Sequence, residues 1–411
     1  MRRASLVIFA LASLVAAIPA LACIWDSDTL RDERRGLPGV AEILAGRWER
    51  HSKFFYEHRA RQSAALLERE PGNLAAYDDL AVAYEKLGDQ DRAIEVMLRK
   101  DKVRPGEYTT EANLGTFYLH KGDLENGIAH IRKALAINPD AHFGREKYQL
   151  MAAEYLRDVK LNPAALKSGS FAMSLLYRVP EERDDTGSAK YYEALAERQG
   201  SFGVRSYRGD DRTAAAIDHA IQGVVGMIRF GTGTSPYLFH ALGDLLAARG
   251  DLHLASRAYR RAVELGHPTP ERVDETRKLV EGPVDDKSEL SETLIARERA
   301  EAEAWVSAFQ RFEDGFIRAN GREPGEADYA SFYREHGAPA PIPTWLQAAK
   351  DRVDTFIAKN TVLFWFGVAL VGTVVIVAVR RRRRARRARY NLGKTNGVPP
   401  AAGVTDSIGT P

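Results

Sequence analysis

The sequence predicts an all-α protein, a solenoid of stacked helix hairpins with capping helices and one C-terminal membrane-spanning helix. Three observations predict it. Segments 74–107 and 108–141 carry the same residue types at the same offsets over a period of 34. Each unit has Gly-Asp in its middle and Pro near its end. Far downstream, Thr361 to Val379 is an uncharged run of 19 residues followed by a block of arginines.

The hairpin units follow from elementary spacing. In the first, Leu80 and Tyr84 share one helix face, and Ala93 and Met97 share another. Leu80, Tyr84, Gly88-Asp89, Ala93-Ile94, Met97 and Pro105 stand at positions 7, 11, 15–16, 20–21, 24 and 32. Leu114-Gly115, Tyr118, Gly122-Asp123, Ile128, Ile131, Ala134 and Pro139 fall on the same grid in the second. Small Ala93 lets two helices approach closely. Gly88-Asp89 closes the hairpin, because Gly accepts the left-handed turn after a helix. Pro105 and Pro139 stop the second helices. A third unit, 236–269, has Leu242-Gly243, Gly250-Asp251, Ala255, Tyr259 and Ala262 in register, with Pro268 one place late and Leu246 where an aromatic is expected.

A 34-residue period with these marks resembles the tetratricopeptide repeat family, specifically over 74–141 and well over 236–269. The resemblance implies a solenoid whose first helices line a concave groove, and a role in binding a protein or peptide. It implies no single activity, because function sits on the site and not on the fold. Mapped onto this chain, the groove positions are Asp78, Asp79, Val82, Glu85 and Lys86 in the first unit. The second contributes Thr109, Ala112, Asn113, Thr116, Leu119 and His120, and the third Tyr237, His240, Asp244 and Ala247. Asn113 stands out, since an amide can pair with both sides of a peptide backbone. The lysine- and asparagine-rich carboxylate clamp of chaperone-binding relatives is absent, with Asp78 in its lysine place. As residues of an open face, Asp78, Asp79 and Glu85 would border the groove with negative charge and favour a partner that is not acidic. Replacing Glu85 there should cost about half a kcal/mol or less, and enlarging Ala93 to Phe roughly 1–3 kcal/mol.

The remaining elements follow in order. Met1 to Ala22 has Arg2-Arg3, an apolar run and Ala20-Leu21-Ala22, the plan of a signal peptide cleaved before Cys23. Cys23 is also where a lipidated cysteine would sit, but Ala20 replaces the large aliphatic residue that signal prefers, so simple cleavage is the favoured reading. Residues 23–73 read as an N-terminal helical cap: a short helix ended by Gly36, Pro38 in the first turn of the next, and a longer helix from about Ser52 to Glu70. Asp26, Asp28, Asp32 and Glu33 read as helix-start caps in preference to a cation site. Segment 142–235 is helical but off the grid, with one helix over 213–230 and an insertion or long loop over 166–212. Residues 270–337 supply C-terminal capping helices. In the long pattern 285–320, Trp305, Phe309, Phe312 and Phe316 make one face, which covers the open end of the solenoid; a dimer seam is the minority reading. Residues 338–360 are a proline-rich spacer and an amphipathic stalk. The span 361–379 follows, and Arg380 to Arg389, with eight arginines, holds the basic 380–411 tail on the cytoplasmic side.

Charge supports this division. The first 22 residues carry +2 and the tail +8, which leaves −7 for 23–379 in a chain of net +3. An acidic exported part argues against nucleic acid as its partner. Cys23 is the only cysteine, so no intramolecular disulfide or cysteine metal cluster can form. With no N-x-Ser/Thr acceptor either, a bacterial envelope fits best: an inner-membrane, single-pass protein with its main domain periplasmic and its tail cytoplasmic. No catalytic or cofactor motif is present: no H-E-x-x-H, G-x-S-x-G, Walker loop or dinucleotide fingerprint. His142 reads as a polar bridge between repeats. The expectation is a non-enzymatic scaffold without cofactor, binding an envelope protein or peptide, its oligomeric state open. The alternatives are a subunit of an envelope enzyme with a site in 142–235 and a passive spacer.

Overall fold

In the computed structural model, the pairs of helices that build the stack are set off from one another by the turn residues the sequence supplies. The structure describes residues 24–29, 37–172, 211–231, 233–282 and 287–340. The chain divides into units between Ile342 and Pro343, and every described residue belongs to the first.

Among the described residues, α1 is Val40–Ala45, α2 Lys53–Arg69, α3 Leu74–Lys86, α4 Gln90–Val103, α5 Tyr108–Lys121, α6 Leu124–Ile137 and α7 Arg145–Leu161. They continue with α8 Asp211–Phe230, α9 Pro236–Arg249, α10 Leu252–Glu264, α11 Pro270–Glu281, α12 Glu292–Asn320 and α13 Glu326–His336. Helices α2 to α11 each pack on the next, so the stack is continuous.

The Gly-Asp pair does two jobs. Gly122 and Gly250 end α5 and α9 in the left-handed region, at φ of 87° and 97°. In the first two units the Asp then caps the following helix: Asp89 accepts the Arg92 amide at 3.0 Å, and Asp123 accepts that of Asn126 at 3.2 Å. Each satisfies an amide that the helix start leaves unpaired. Ser52, Asn73 and Ser235 cap α2, α3 and α9 in the same way.

Two apolar clusters fill the stack. Leu80, Val82, Ala93, Ile94, Met97, Leu114 and Phe117 join α3, α4 and α5. A larger one runs from α6 to α11, including Ile128, Tyr148, Val224, Leu242, Tyr259 and Val273. Helices cross closely where side chains vanish. A Cβ on Gly115 would stand 2.6 Å from the Ile131 side chain and 3.1 Å from its backbone nitrogen, and one on Gly127 would meet Leu119 at 2.5 Å.

The segments expected to cap the stack also pack across it. The sequence assigns 23–73 to an N-terminal cap, yet α1 packs on α8, α10 and α12, and Val40, Ile43, Leu44 and Trp48 are buried in the larger cluster. Helix α12 is a strap of 29 residues, roughly 43 Å long. Its first half is tied to α10 by Arg260–Glu292 at 3.1 Å and Arg299–Glu264 at 2.6 Å. Farther along it packs on α1 and α2. Its aromatic face closes on α13, with Trp305, Phe309, Tyr329 and Phe332 in one cluster. Ser291, accepting the Leu294 amide, starts α12 several residues after the expected position 285. Beyond α13, the Ala340 carbonyl accepts the Gly39 amide at 2.7 Å and its amide donates to Glu42 at 3.0 Å.

Among the described residues no helix is long and apolar enough to cross a membrane. The expected signal peptide with Cys23, most of the 166–212 insertion, the 344–360 stalk, the 361–379 span and the basic tail lie outside the described residues.

The close crossing gives a test. Gly115→Ala should lower the unfolding free energy by about 1–3 kcal/mol, because backbone as well as side chain blocks the new methyl. Glu95→Ala, at an exposed position of α4, should stay within about 0.5 kcal/mol. Equal denaturation midpoints for the two variants would contradict this packing.

Candidate functional site

The first helices of the two regular units, α3 and α5, lie side by side and present the mapped groove residues to the same region. That region is not open. Residues 24–29 lie on it, so the chain supplies its own occupant.

Asn113 holds that segment by its backbone. Its Oδ1 accepts the Trp25 amide at 2.8 Å, and its Nδ2 donates to the Trp25 carbonyl at 3.0 Å. Asn113 is 0% exposed, and its Nδ2 also reaches Asp78 Oδ1 at 3.3 Å. Asp78 in turn takes two hydrogen bonds from Lys100 Nζ, at 2.6 and 2.7 Å, while Lys100 also donates to Thr109 Oγ1 at 2.5 Å. The ordering chain thus runs from a lysine on α4 through Asp78 to the amide that reads the peptide. Asp79 Oδ1 accepts both the amide and the hydroxyl of Ser27, at 3.0 and 2.9 Å. Burial pushes the Asp78 and Asp79 carboxyls up to about 6, against the pull of Lys100 on the first and Arg59 on the second. Ile24 is buried in the cluster of Leu80 and Phe117, and Trp25 sets its ring edge-on to Tyr108 at 5.7 Å.

The acidic residues of the segment meet α2. Arg59 Nη1 lies 2.5 Å from Asp28 Oδ2 and 3.4 Å from Asp26 Oδ2, and the same guanidinium pairs with Glu323. His51 bridges Asp28, 3.4 Å away, and Glu313 of α12, 2.7 Å away. Tyr329 also donates to Glu313, at 2.5 Å. Asp26 accepts the Thr29 amide at 2.8 Å, which bears out helix-start capping for that residue, whereas Asp28 serves the ion network. Burial opposes charge on His51, but Glu313 and Asp28 outweigh it, so its pKa is raised above 6.5.

Other mapped positions are also inside, contrary to the expectation of an open face. Glu85 is buried and bonds His120 Nδ1 at 2.5 Å. Val82 and Leu119 belong to the apolar clusters. Gln149 of α7 donates to Thr116 at 2.9 Å. Lys86 donates to the Phe230 and Gly231 carbonyls at 2.5 and 3.0 Å, closing the end of α8, and burial lowers its pKa to about 8.

Tyr237 and His240 form a separate cluster in the third unit. His267 lies 3.1 Å from His240, and Asp244 takes Tyr259 at 2.7 Å and Ser170 at 2.6 Å. The Thr269 amide donates to His267 Nδ1 at 3.2 Å, which leaves the His267 Nε2 proton for His240. Burial drives both imidazoles down to about 3, so they are neutral. Among the described residues no group of three potential ligands could hold a metal ion.

Sequence reasoning named Asn113 and its backbone chemistry but missed Arg59, His51 and Lys100. Phe55, Arg59 and Ser63 recur every fourth residue on the buried face of α2, which marked Arg59 as an inward cation. Lys100 carried no such signal.

Comparison with known proteins now adds to the geometry. The tetratricopeptide repeat family model matches residues 74–105 and 112–141, the hairpins α3–α4 and α5–α6. None of the curated proteins matches the chain. The chain therefore carries tetratricopeptide repeats, units that suggest a protein–protein interaction scaffold, and residues 24–29 lie against their first helices.

Two outcomes are expected. Glu85→Ala removes the bond to buried His120 and should cost about 1–3 kcal/mol in denaturation, well above the surface value. The second concerns pH. A raised imidazole pKa in the folded state adds stability that is complete below 6.5 and is lost as pH rises through the native value. Stability relative to His51→Gln, measured from about pH 5.5 to about 9, should therefore shrink toward the alkaline end. A constant difference would remove the ion-pair role of His51.

Proposed function

We propose that this protein is a membrane-anchored envelope scaffold that binds a segment of another protein on the face formed by α3 and α5. The observation that carries the reading is the double hydrogen bond of Asn113 to the N–H and C=O of one residue, Trp25, which recognises backbone whatever the side chain. The regular units supply the rigid support, and Asp78 with Lys100 fixes the amide's orientation. In this reading Asp79 contacts the bound segment and Thr109 supports Lys100, whereas Thr116 and His120, like Tyr237 and His240, stiffen the units from within.

The anchoring part rests on sequence alone. The uncharged run 361–379 has the length of a bilayer span, and the arginines after it favour the cytoplasmic side. With the signal-like start, this orientation places the repeats in the periplasm of a bacterial cell. The absence of catalytic motifs supports a non-enzymatic role without cofactor. A partner excluded for being acidic is no longer the better reading. Asp78 and Glu85 are matched by Lys100 and His120, whereas Arg59 faces the groove's occupant.

Crosslinking in intact cells with mass-spectrometric mapping tests the scaffold. Adducts to another envelope protein should concentrate on 74–141 and diminish when Asn113 is replaced by Ala. Adducts confined to other parts of the chain would defeat the proposal. For the anchor, a reporter fused after Pro411 should be active only in the cytoplasm and one inserted in 283–286 only outside it.

A further inference from the structure

We infer that residues 24–29 are a ligand held in cis, and that the groove takes in trans a partner segment of the same chemistry: a bulky apolar residue, one residue read by its backbone, and carboxylates two positions apart. This rests on the scaffold reading and adds the class of partner and the means of its exclusion.

Three features carry it. First, the contacts are those of recognition. Asn113 pairs with both the backbone N–H and the backbone C=O of Trp25, and Asp79 takes the Ser27 amide and hydroxyl. Ile24, 2% exposed, occupies an apolar place beside the repeat core. Second, the specificity is ionic. Asp26 and Asp28 both reach Arg59 Nη1, and His51 supports Asp28. Arg59 is itself buried, with Glu323 on its other edge, so an occupant lacking carboxylates would leave part of a desolvated guanidinium unmatched. A neutral or basic segment is rejected on that ground. Third, the occupant belongs to the same chain, so it is held as a tethered ligand. A tether of ordinary length supplies roughly millimolar effective concentration. A partner segment in solution must therefore compete, and one that does leaves the repeat hairpins unaltered.

The test uses the full chain in detergent and a labelled peptide of sequence Ile-Trp-Asp-Ser-Asp-Thr. In the variant Asp26→Arg with Asp28→Arg, like charge against Arg59 expels the native segment. The peptide should then bind at least about tenfold more tightly than to the wild-type chain. Adding Asn113→Ala, or using a peptide with both Asp replaced by Asn, should remove that gain. Hydrogen exchange on the wild-type chain provides a readout independent of the charge-reversed variant. Excess peptide should speed exchange in 24–29 and leave α3 and α5 protected. Failure of the peptide to bind the charge-reversed chain, with exchange in 24–29 unmoved, overturns the inference. Cellular crosslinks to 74–141 would survive that result if the groove serves a scaffold of different specificity. Loss of those crosslinks with peptide binding intact would instead defeat the scaffold and leave a self-binding segment. Peptide binding that brings two copies together, seen as a mass doubling that depends on 24–29, would make the trans occupant a second copy and overturn the separate partner.

Discussion

The structure depends on one guanidinium. Arg59 leaves the first helix of the stack and meets Asp28 and Asp26 on one side and Glu323, beyond the end of α12, on the other. Three stretches far apart in sequence thereby converge on a single buried cation. Burying it unpaired would be prohibitive, so each carboxylate is needed where it is. Phe55 stacks beneath it at 4.6 Å, and His51 closes the network toward Glu313. A repeat stack built only of neighbour contacts has no means of holding its two ends together. Here α12 does so through ion pairs to α10 and packing on α2, and Arg59 fixes the register of that closure.

The sequence made the hairpins legible because their determinants are local. Gly122 and Asp123 sit beside the helix ends they terminate and cap, and Leu80, Tyr84, Ala93 and Met97 share faces by spacing alone. The site was legible only in part. Periodicity says that Asp78, Glu85 and Asn113 share a side of their helices, but not what lies against that side. The Trp25–Asn113 contact spans 88 residues, and Arg59–Glu323 spans 264. No pattern of 3.6 or 34 residues encodes such pairings. The same holds for Ser170 with Asp244, 74 residues apart, on which the third unit's polar cluster turns.

Electrostatics shows why totals mislead at a site. The net −7 of residues 23–379 invites a picture of an acidic groove calling for a neutral or basic partner. Every carboxylate that suggested it has a local counterpart: Lys100 for Asp78, His120 for Glu85, Ser27 donors for Asp79. What faces the occupant's own carboxylates is a cation, Arg59. At hydrogen-bond distance in a dry interior, the nearest partner outweighs a sum over distant surface charges, which water and salt screen.

An occupied groove also changes what binding measures. A partner that must remove the tethered segment has its apparent affinity reduced by the fraction of time the site is free. The reduction falls equally on every competitor, so it does not create discrimination by itself. Discrimination comes from Arg59, which can be left unmatched by a wrong segment but not by a right one. The tether then sets the threshold, and the ion pair sets the identity. Backbone recognition by Asn113 completes the division of labour, since it accepts any extended residue and so contributes hold without selecting sequence. A site arranged this way stays closed against weak encounters with extended chains and opens to those that replace the Asp26 and Asp28 contacts as well as the backbone hydrogen bonds of Trp25.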